Sequence, residues 1–304
     1  MHTKNANFFY TALPMISLIF LVFAVQKVQG ELKTKTIIGK VSGKKITFDI
    51  YLPESYRKER PGYPVIYNLH GRGGPYKSGG AFHPPMKKAI AKGILPPVIA
   101  VYPDGTKNSW YADSKDRSIL IETHIIREII PWVDANYNTK ASRGFRVIQG
   151  FSMGGYGASL LAVKFPELFS ICINYDGGMW NWEDMNSKSK KWQPVAPVLF
   201  DNDKTYYESN SSPWTFSNYN KDKIKGRLQF RTLVGSLGSG LQKWRDHLNS
   251  LGIEMDYVVS KCRHNLQCLH EEAGDGSFRL MAEQFVKAMT SEAKTGEELK
   301  AEGK

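Results

Sequence analysis

Apolar positions along this chain fall into two alternating patterns. Lys45–Leu52 alternates polar and apolar residues, which predicts an early antiparallel strand. Pro64–Leu69 and Pro97–Tyr102 are short apolar runs ending at His70-Gly71 and Pro103-Asp104-Gly105, and both read as buried strands. Phe145–Gln149, Leu168–Tyr175, Leu228–Val234 and Ile253–Val259 complete the strand set. Between them apolar residues recur at helical spacing. Ile125, Ile126, Ile129, Ile130 and Val133 form one stripe, and Ala158–Phe165 forms a helix closed by Pro166. Leu241, Trp244, Leu248 and Leu251 mark a third helix, and Phe278, Met281, Phe285 and Met289 a last one. Strands alternating with helices predict an α/β fold with a mostly parallel sheet covered on both faces. Such sheets bind ligands beyond the carboxyl ends of their strands. The loops opening at His70, Tyr102, Gly150, Asp176, Gly235 and Ser260 therefore converge on one side.

Met179–Arg227 breaks the alternation. It is irregular and polar, yet holds Trp180, Trp182, Trp192 and Trp214. A stretch of this length inside a compact domain is usually functional.

Composition narrows the class. The chain has 304 residues, of which 41% are hydrophobic and 23% charged, which excludes disordered, collagen-like and coiled-coil classes. Met1–Gly30 reads as a secretory leader. Lys4 supplies the positive start, Met15–Val25 a short apolar core, and Val28-Gln29-Gly30 a cleavage site. That core is shorter than a bilayer span, so no stable membrane span is expected after cleavage; the alternative is an uncleaved anchor. One domain over 31–289 and a charged, disordered tail over 290–304 follow. Export implies an oxidising compartment, secreted or periplasmic, in which Cys262 and Cys268 could pair. Cys172 sits in an apolar run and reads as an inert buried thiol. The formal charge of +12 favours acidic partners, but no basic run accompanies a nucleic-acid motif, so dispersed surface lysine is the reading and no nucleic acid is expected.

Chemistry centres on Gly150-Phe151-Ser152-Met153-Gly154, a G-x-S-x-G pattern between a strand and a helix. That context places Ser152 on a strained turn with its hydroxyl in the cleft and helix N–H groups behind it. A serine needs a base to take its proton. The base should lie on the loop after the last strand, where His264 stands. His270 is closer to the following helix, His247 and His124 read as surface residues, and His83 could contact substrate. Two N–H donors for an oxyanion are expected from Met153, next to the nucleophile, and from Arg72 in the glycine-rich loop after His70. His70 itself reads as structural.

These residues resemble the esterase-D-like branch of the α/β-hydrolases, the group of carbohydrate esterase family 1 with its feruloyl and acetylxylan esterases. The matching pieces run across most of the mature chain. They are Tyr67-Asn68-Leu69-His70-Gly71, Tyr102-Pro103-Asp104-Gly105, Ser109-Trp110-Tyr111, Gly150 to Ala158, Phe165 to Phe169, Tyr175-Asp176-Gly177-Gly178 and His264-Asn265. The resemblance implies an α/β-hydrolase fold with an aromatic-rich insertion before the penultimate strand. It also implies a serine carboxylic-ester hydrolase acting on an acylated carbohydrate or a small ester.

One departure stands out. The family usually carries its triad acid just after the strand corresponding to Leu228–Val234, where this chain reads Gly235-Ser236-Leu237-Gly238-Ser239-Gly240 without a carboxylate. The acid holds the histidine tautomer and steadies the imidazolium, and its loss costs about four orders of magnitude in turnover. Asp176, at the end of the preceding strand, is the replacement candidate; Asp203, Asp246 and Asp256 are weaker ones. A Ser–His dyad, a weakened hydrolase-fold binding protein, and an acyltransferase to a sugar hydroxyl stay open at this point. Trp110 and Trp180 are expected to wall the cleft against a sugar or phenolic group. No metal or organic cofactor is implied, because neither ligand spacing nor a phosphate-binding glycine pattern is present.

Overall fold

The computed structural model describes residues 30–59, 61–74, 77–186 and 195–302. The leader expected over Met1–Gly30, apart from Gly30, and Trp192 lie outside them. Among the described residues, eight strands form one sheet: β1 (Glu31–Ile38), β2 (Lys45–Leu52), β3 (Val65–Leu69), β4 (Ile99–Pro103), β5 (Arg146–Phe151), β6 (Ile171–Tyr175), β7 (Gln229–Val234) and β8 (Met255–Val259). Their spatial order is β1-β2-β4-β3-β5-β6-β7-β8. β1 and β2 are antiparallel to each other, β2 is antiparallel to β4, and every pairing from β4 to β8 is parallel.

The helices are α1 (His83–Ala91), α2 (Ile121–Thr123), α3 (Ile130–Asn136), α4 (Met153–Lys164), α5 (Trp182–Met185), α6 (Val195–Phe200), α7 (Lys204–Asn210), α8 (Pro213–Tyr219), α9 (Lys221–Ile224), α10 (Gly238–Ser250), α11 (Leu266–Ala273) and α12 (Gly276–Glu302). α2 continues into α3 through a wider π-helical turn, His124–Ile129. This is the expected α/β-hydrolase arrangement.

Why the sheet is buried on both faces follows from its strands. Every residue of β3, β4 and β6 is buried, as parallel strands require when helices cover both sides. Successive residues feed opposite cores. Val65, Tyr67 and Leu69 join one cluster, with Tyr156 and Leu160 of α4. Ile66 and Val147 join the other, with Met86 of α1 and Phe285 of α12. β2 departs from the alternation expected of a half-buried strand. It lies between β1 and β4, and Phe48 and Tyr51 pack into opposite cores.

β1 was not foreseen. Its pattern is mostly exposed, and it is ordered by backbone pairing along all eight of its residues with β2. The segment expected to be irregular, Met179–Arg227, contains five short helices among its described residues, three of them capped by Asn181, Asp203 and Ser212 side chains. The disordered tail expected over 290–304 is corrected as well: α12 continues through Glu302. Alanine, glutamate and lysine are strong helix formers. Glu292 also accepts hydrogen bonds from Lys140 Nζ at 3.3 Å and Ser142 Oγ at 3.1 Å. Among the described residues, no helix is long and apolar enough to cross a membrane.

The order of strands positions the site. From β3 the chain steps outward to β4, then returns to place β5 on the other side of β3 and continues to β8. At such a reversal neighbouring loops diverge and leave a crevice at the carboxyl edge. The loops after β3 and β5 border it.

Candidate active site

β5 ends at Phe151, α4 begins at Met153, and Ser152 between them has φ 57° and ψ −121°. A non-glycine residue in this region is strained and persists only where its surroundings enforce it. The enforcement is visible on both sides. A Cβ on Gly150 would lie 2.0 Å from the Gly154 carbonyl oxygen, and one on Gly154 2.0 Å from that of Leu69. Only glycines let β3, β5 and α4 approach so closely. Ser152 occupies the N-cap position of α4 but makes no capping bond. Its Oγ instead lies 2.8 Å from Nε2 of His264.

His264 is on the loop between β8 and α11. Its Nδ1 lies 2.7 Å from Oδ2 of Asp176. A carboxylate accepts, so Nδ1 carries the proton and Nε2 is left to accept from the serine hydroxyl. Phe151 stacks on the imidazole with ring centroids 4.6 Å apart, which fixes its plane.

Asp176 follows β6, has φ 47° and is fully buried. Buried carboxylates need compensating donors. Gly235 and Leu237 donate their backbone N–H groups to Oδ1 at 2.8 and 3.0 Å, and Ser236 donates to Oδ2 at 3.1 Å. The loop that lacks an acid is thus folded around the acid of the neighbouring strand. A Cβ on Gly235 would lie 2.7 Å from Asp176 Oδ2 and 2.9 Å from the Arg263 carbonyl oxygen. Asp203, Asp246 and Asp256 lie elsewhere, paired with Lys115, Arg245 and Arg231.

A cavity of about 930 Å³ opens beside Ser152 and His264. One wall is the Gly71–Gly74 loop with Arg72, another is Gly79–Phe82, and the 264–267 segment faces them. A Cβ on Gly71 would lie 3.3 Å from that of Ser152, so the Arg72 loop abuts the serine. Met153, the other expected oxyanion donor, is buried as the first residue of α4, where N–H groups lack helical acceptors.

The remaining histidines separate from this site. His70 bridges two loops, its Nδ1 2.8 Å from the Gly71 carbonyl and its Nε2 accepting from Gly105 N–H at 2.9 Å. Burial holds its pKa below the ordinary histidine value. His83 begins α1, packs on Tyr51 and lies 3.1 Å from Tyr102 Oη; it does not line the cavity. His247 is not a bare surface residue: it meets Ser217 Oγ at 2.8 Å and stacks on Trp244.

The aromatic wall is a correction. Trp110 is only 4% exposed, with its ring 4.2 Å from Trp180 and 5.3 Å from Tyr156. Among the described residues neither Trp110 nor Trp180 lines the cavity. They join the core because indole burial is favourable in itself, and residue type alone does not separate that role from ligand stacking. Cys262 and Cys268 form a disulfide, and Cys172 is a free buried thiol whose pKa burial pushes up to about 12. Glu272 lies near the disulfide, but sulfurs joined to each other offer no thiolate to a metal.

The sequence showed neither the Gly235–Leu237 cradle nor the Phe151 stack. The signal for the first was present as two halves, an Asp-Gly-Gly turn after β6 and a glycine ending β7, which meet only in three dimensions.

Residues 39–223 match the family described as "Putative esterase". An esterase of Mycobacterium tuberculosis is 33% identical over 132 residues, which cover 42% of this chain and 28% of that protein. An endo-1,4-beta-xylanase/feruloyl esterase of Xylanibacter ruminicola is 33% identical over 165 residues, 51% of this chain and 23% of that protein. The chain thus matches about a quarter of the length of these curated relatives. Among solved structures, a ferulic acid esterase superposes with a TM-score of 0.69 at 20% identity, covering 85% of this chain and 99% of that one. An S-formylglutathione hydrolase from Staphylococcus aureus gives 0.67 at 14% identity, covering 83% of this chain and 99% of that one. These two likenesses concern the fold. With the family match spanning more than half of the sequence, the chain belongs to this esterase family of α/β-hydrolases.

Proposed function

We propose that the protein is a secreted serine esterase that removes feruloyl or acetyl groups from a carbohydrate. The observation that carries this reading is the unbroken chain from Ser152 Oγ through His264 to the buried Asp176. In this reading Ser152 attacks the ester carbonyl while His264 Nε2 takes its proton. Asp176 holds the imidazole tautomer and steadies the imidazolium. Backbone N–H groups of Met153 and Arg72 receive the oxyanion, and His264 returns the proton to the leaving alkoxide. Water, deprotonated by His264, then frees the acyl group.

The cradle around Asp176 favours this reading over a weakened binding protein, since the absent acid of the Gly235 loop was the feature pointing to one. The feruloyl esterase likenesses support the acyl class. The leader pattern of Met1–Gly30 and the Cys262–Cys268 disulfide support export.

Intact-mass labelling with a fluorophosphonate tests the nucleophile. One adduct per parent chain and none on Ser152→Ala is expected. A folded parent that takes no label would sink the reading. Hydrolysis of methyl ferulate and acetylated xylo-oligosaccharides then ranks the acyl groups.

A further inference from the structure

The disulfide encloses the very loop that carries His264. Cys262 and Cys268 are six positions apart, and Arg263, His264, Asn265, Leu266 and Gln267 lie between them. Four of those five line the cavity. The sheet's hold on this segment ends early: Ser260 N–H donates to the Val234 carbonyl at 3.0 Å. Beyond it Cys262 N–H donates to Ser260 Oγ and Asn265 N–H to the Arg263 carbonyl, both within the loop.

The loop is tied to the core by the buried Cys262 side chain and by α11. Leu266, Leu269 and His270 of that helix are buried, and His270 packs against Phe82 and Tyr175. Three links run from α11 back to the loop. Asn265 caps the helix, its side chain accepting from Cys268 N–H at 2.9 Å. Glu272 accepts from Lys261 N–H at 3.0 and 3.1 Å. The disulfide joins Cys262, two residues before His264, to Cys268 on the helix.

We infer that the Cys262–Cys268 bond and Glu272 are positioning elements that hold His264 between Ser152 and Asp176, so that turnover depends on the pair being oxidised. The inference rests on the reading of His264 as the base. Only the disulfide is covalent and lies on the amino-terminal side of the histidine within two residues. Broken, it leaves that side held by Glu272, by the Ser260 bonds and by burial of the Cys262 side chain, none of them covalent, while Phe151 and Asp176 must catch a looser ring. Displacements of about 1 Å in a catalytic group can cost up to a hundredfold in rate.

A phosphine tests this on the full chain. Two electrons from the phosphine break the S–S bond, water supplies the oxygen of the phosphine oxide, and the two sulfurs take up its protons as thiols. The readouts are steady-state hydrolysis of 4-nitrophenyl acetate, the rate of fluorophosphonate labelling and its end point. For the reduced enzyme, kcat and the labelling rate are expected to fall about tenfold or more. KM for this small ester should stay within about twofold, because it reaches little of the cavity wall. Labelling should still reach one per chain, and oxidised glutathione should restore the rate. Cys262→Ser/Cys268→Ser should match the reduced parent, and Glu272→Gln should slow the reduced enzyme more than the oxidised one.

Equal rates for oxidised, reduced and doubly substituted protein would overturn the inference. So would a lower labelling end point with an unchanged rate for the labelled fraction, which marks a merely structural bond. An oxidised parent that never labels fails the esterase reading itself, a distinct result that removes this inference with it.

Discussion

Asp176 shows how one residue's surroundings assign its work. It is fully buried, yet three backbone N–H groups and one imidazole N–H reach its two oxygens. Asp176→Asn keeps the volume but replaces an acceptor by a donor facing N–H groups. A fall in kcat of about 10⁴-fold is expected, as for Ser-His-Asp triads generally, with the fold retained by circular dichroism. Gly235→Ala tests the cradle rather than the acid. Its Cβ would intrude on Asp176 Oδ2, so kcat should drop roughly tenfold to a hundredfold while KM moves little. An unchanged kcat in Gly235→Ala would mean that the acid tolerates displacement. His270 carries a different prediction. Burial lowers its pKa from 6.5 to about 4. The unfolded chain gains a proton below 6.5 that the folded chain refuses until about 4. Stability from this group is therefore full above pH 6.5 and lost as pH falls towards 4, by about 3 kcal/mol. His270→Phe should lack that loss. Unfolding free energies from urea titrations at pH 7.5 and 4.5 should differ in the variant's favour by roughly 2–3 kcal/mol at the lower pH.

Elements differ in how openly the sequence announced them. β2 was foreseen at its observed bounds, and β3 to β8 within a few residues, because a buried strand is a local run of apolar residues between turn signals. β1 was missed because its residues are mostly exposed and its order comes from pairing with a strand seven residues away. Ser152 and His264 were legible from their places between elements. Asp176 was one candidate among several, since choosing it required knowing that the Gly235 loop closes over it. The Trp110–Trp180 pair misled because burial and ligand stacking call for the same side chain. The apolar stripe of α12 ends at Met289, so the pattern alone marks the helix no further; the helix beyond is held by propensity and by Glu292. Those contacts are exposed, so their worth is small, at about 0–1 kcal/mol. Removal of residues 290–304 should lower the melting temperature by no more than about 3 °C and leave kcat unchanged, as scanning fluorimetry and an ester assay would show. A larger loss would assign the tail a packing role.

For the whole molecule, the site and the field around it come from different levels of organisation. Strand order sets the crevice, and any chain with this topology would have one. Charge is a property of this sequence: 41 lysines and arginines stand against 29 aspartates and glutamates. The excess reaches the cavity, whose charged lining residues among those described, histidines apart, are Arg72 and Lys107 on adjoining loops. Gly73 N–H donates to the Lys107 carbonyl at 3.1 Å, which ties those loops together. Such a field raises the encounter rate of anionic substrates and weakens as salt shortens its reach from about 30 Å at 0.01 M to about 3 Å at 1 M. Phenyl acetate and 4-acetoxybenzoate form a fitting pair, alike in the scissile ester but differing by a carboxylate on the leaving group. Over that salt range kcat/KM for the charged ester should fall roughly fivefold, while the neutral ester changes little. Lys107→Ala should flatten the salt dependence of the charged ester and leave the neutral one untouched. Parallel salt curves for both esters in the parent would mean that the basic surface lies too far from Ser152 to guide what reaches it.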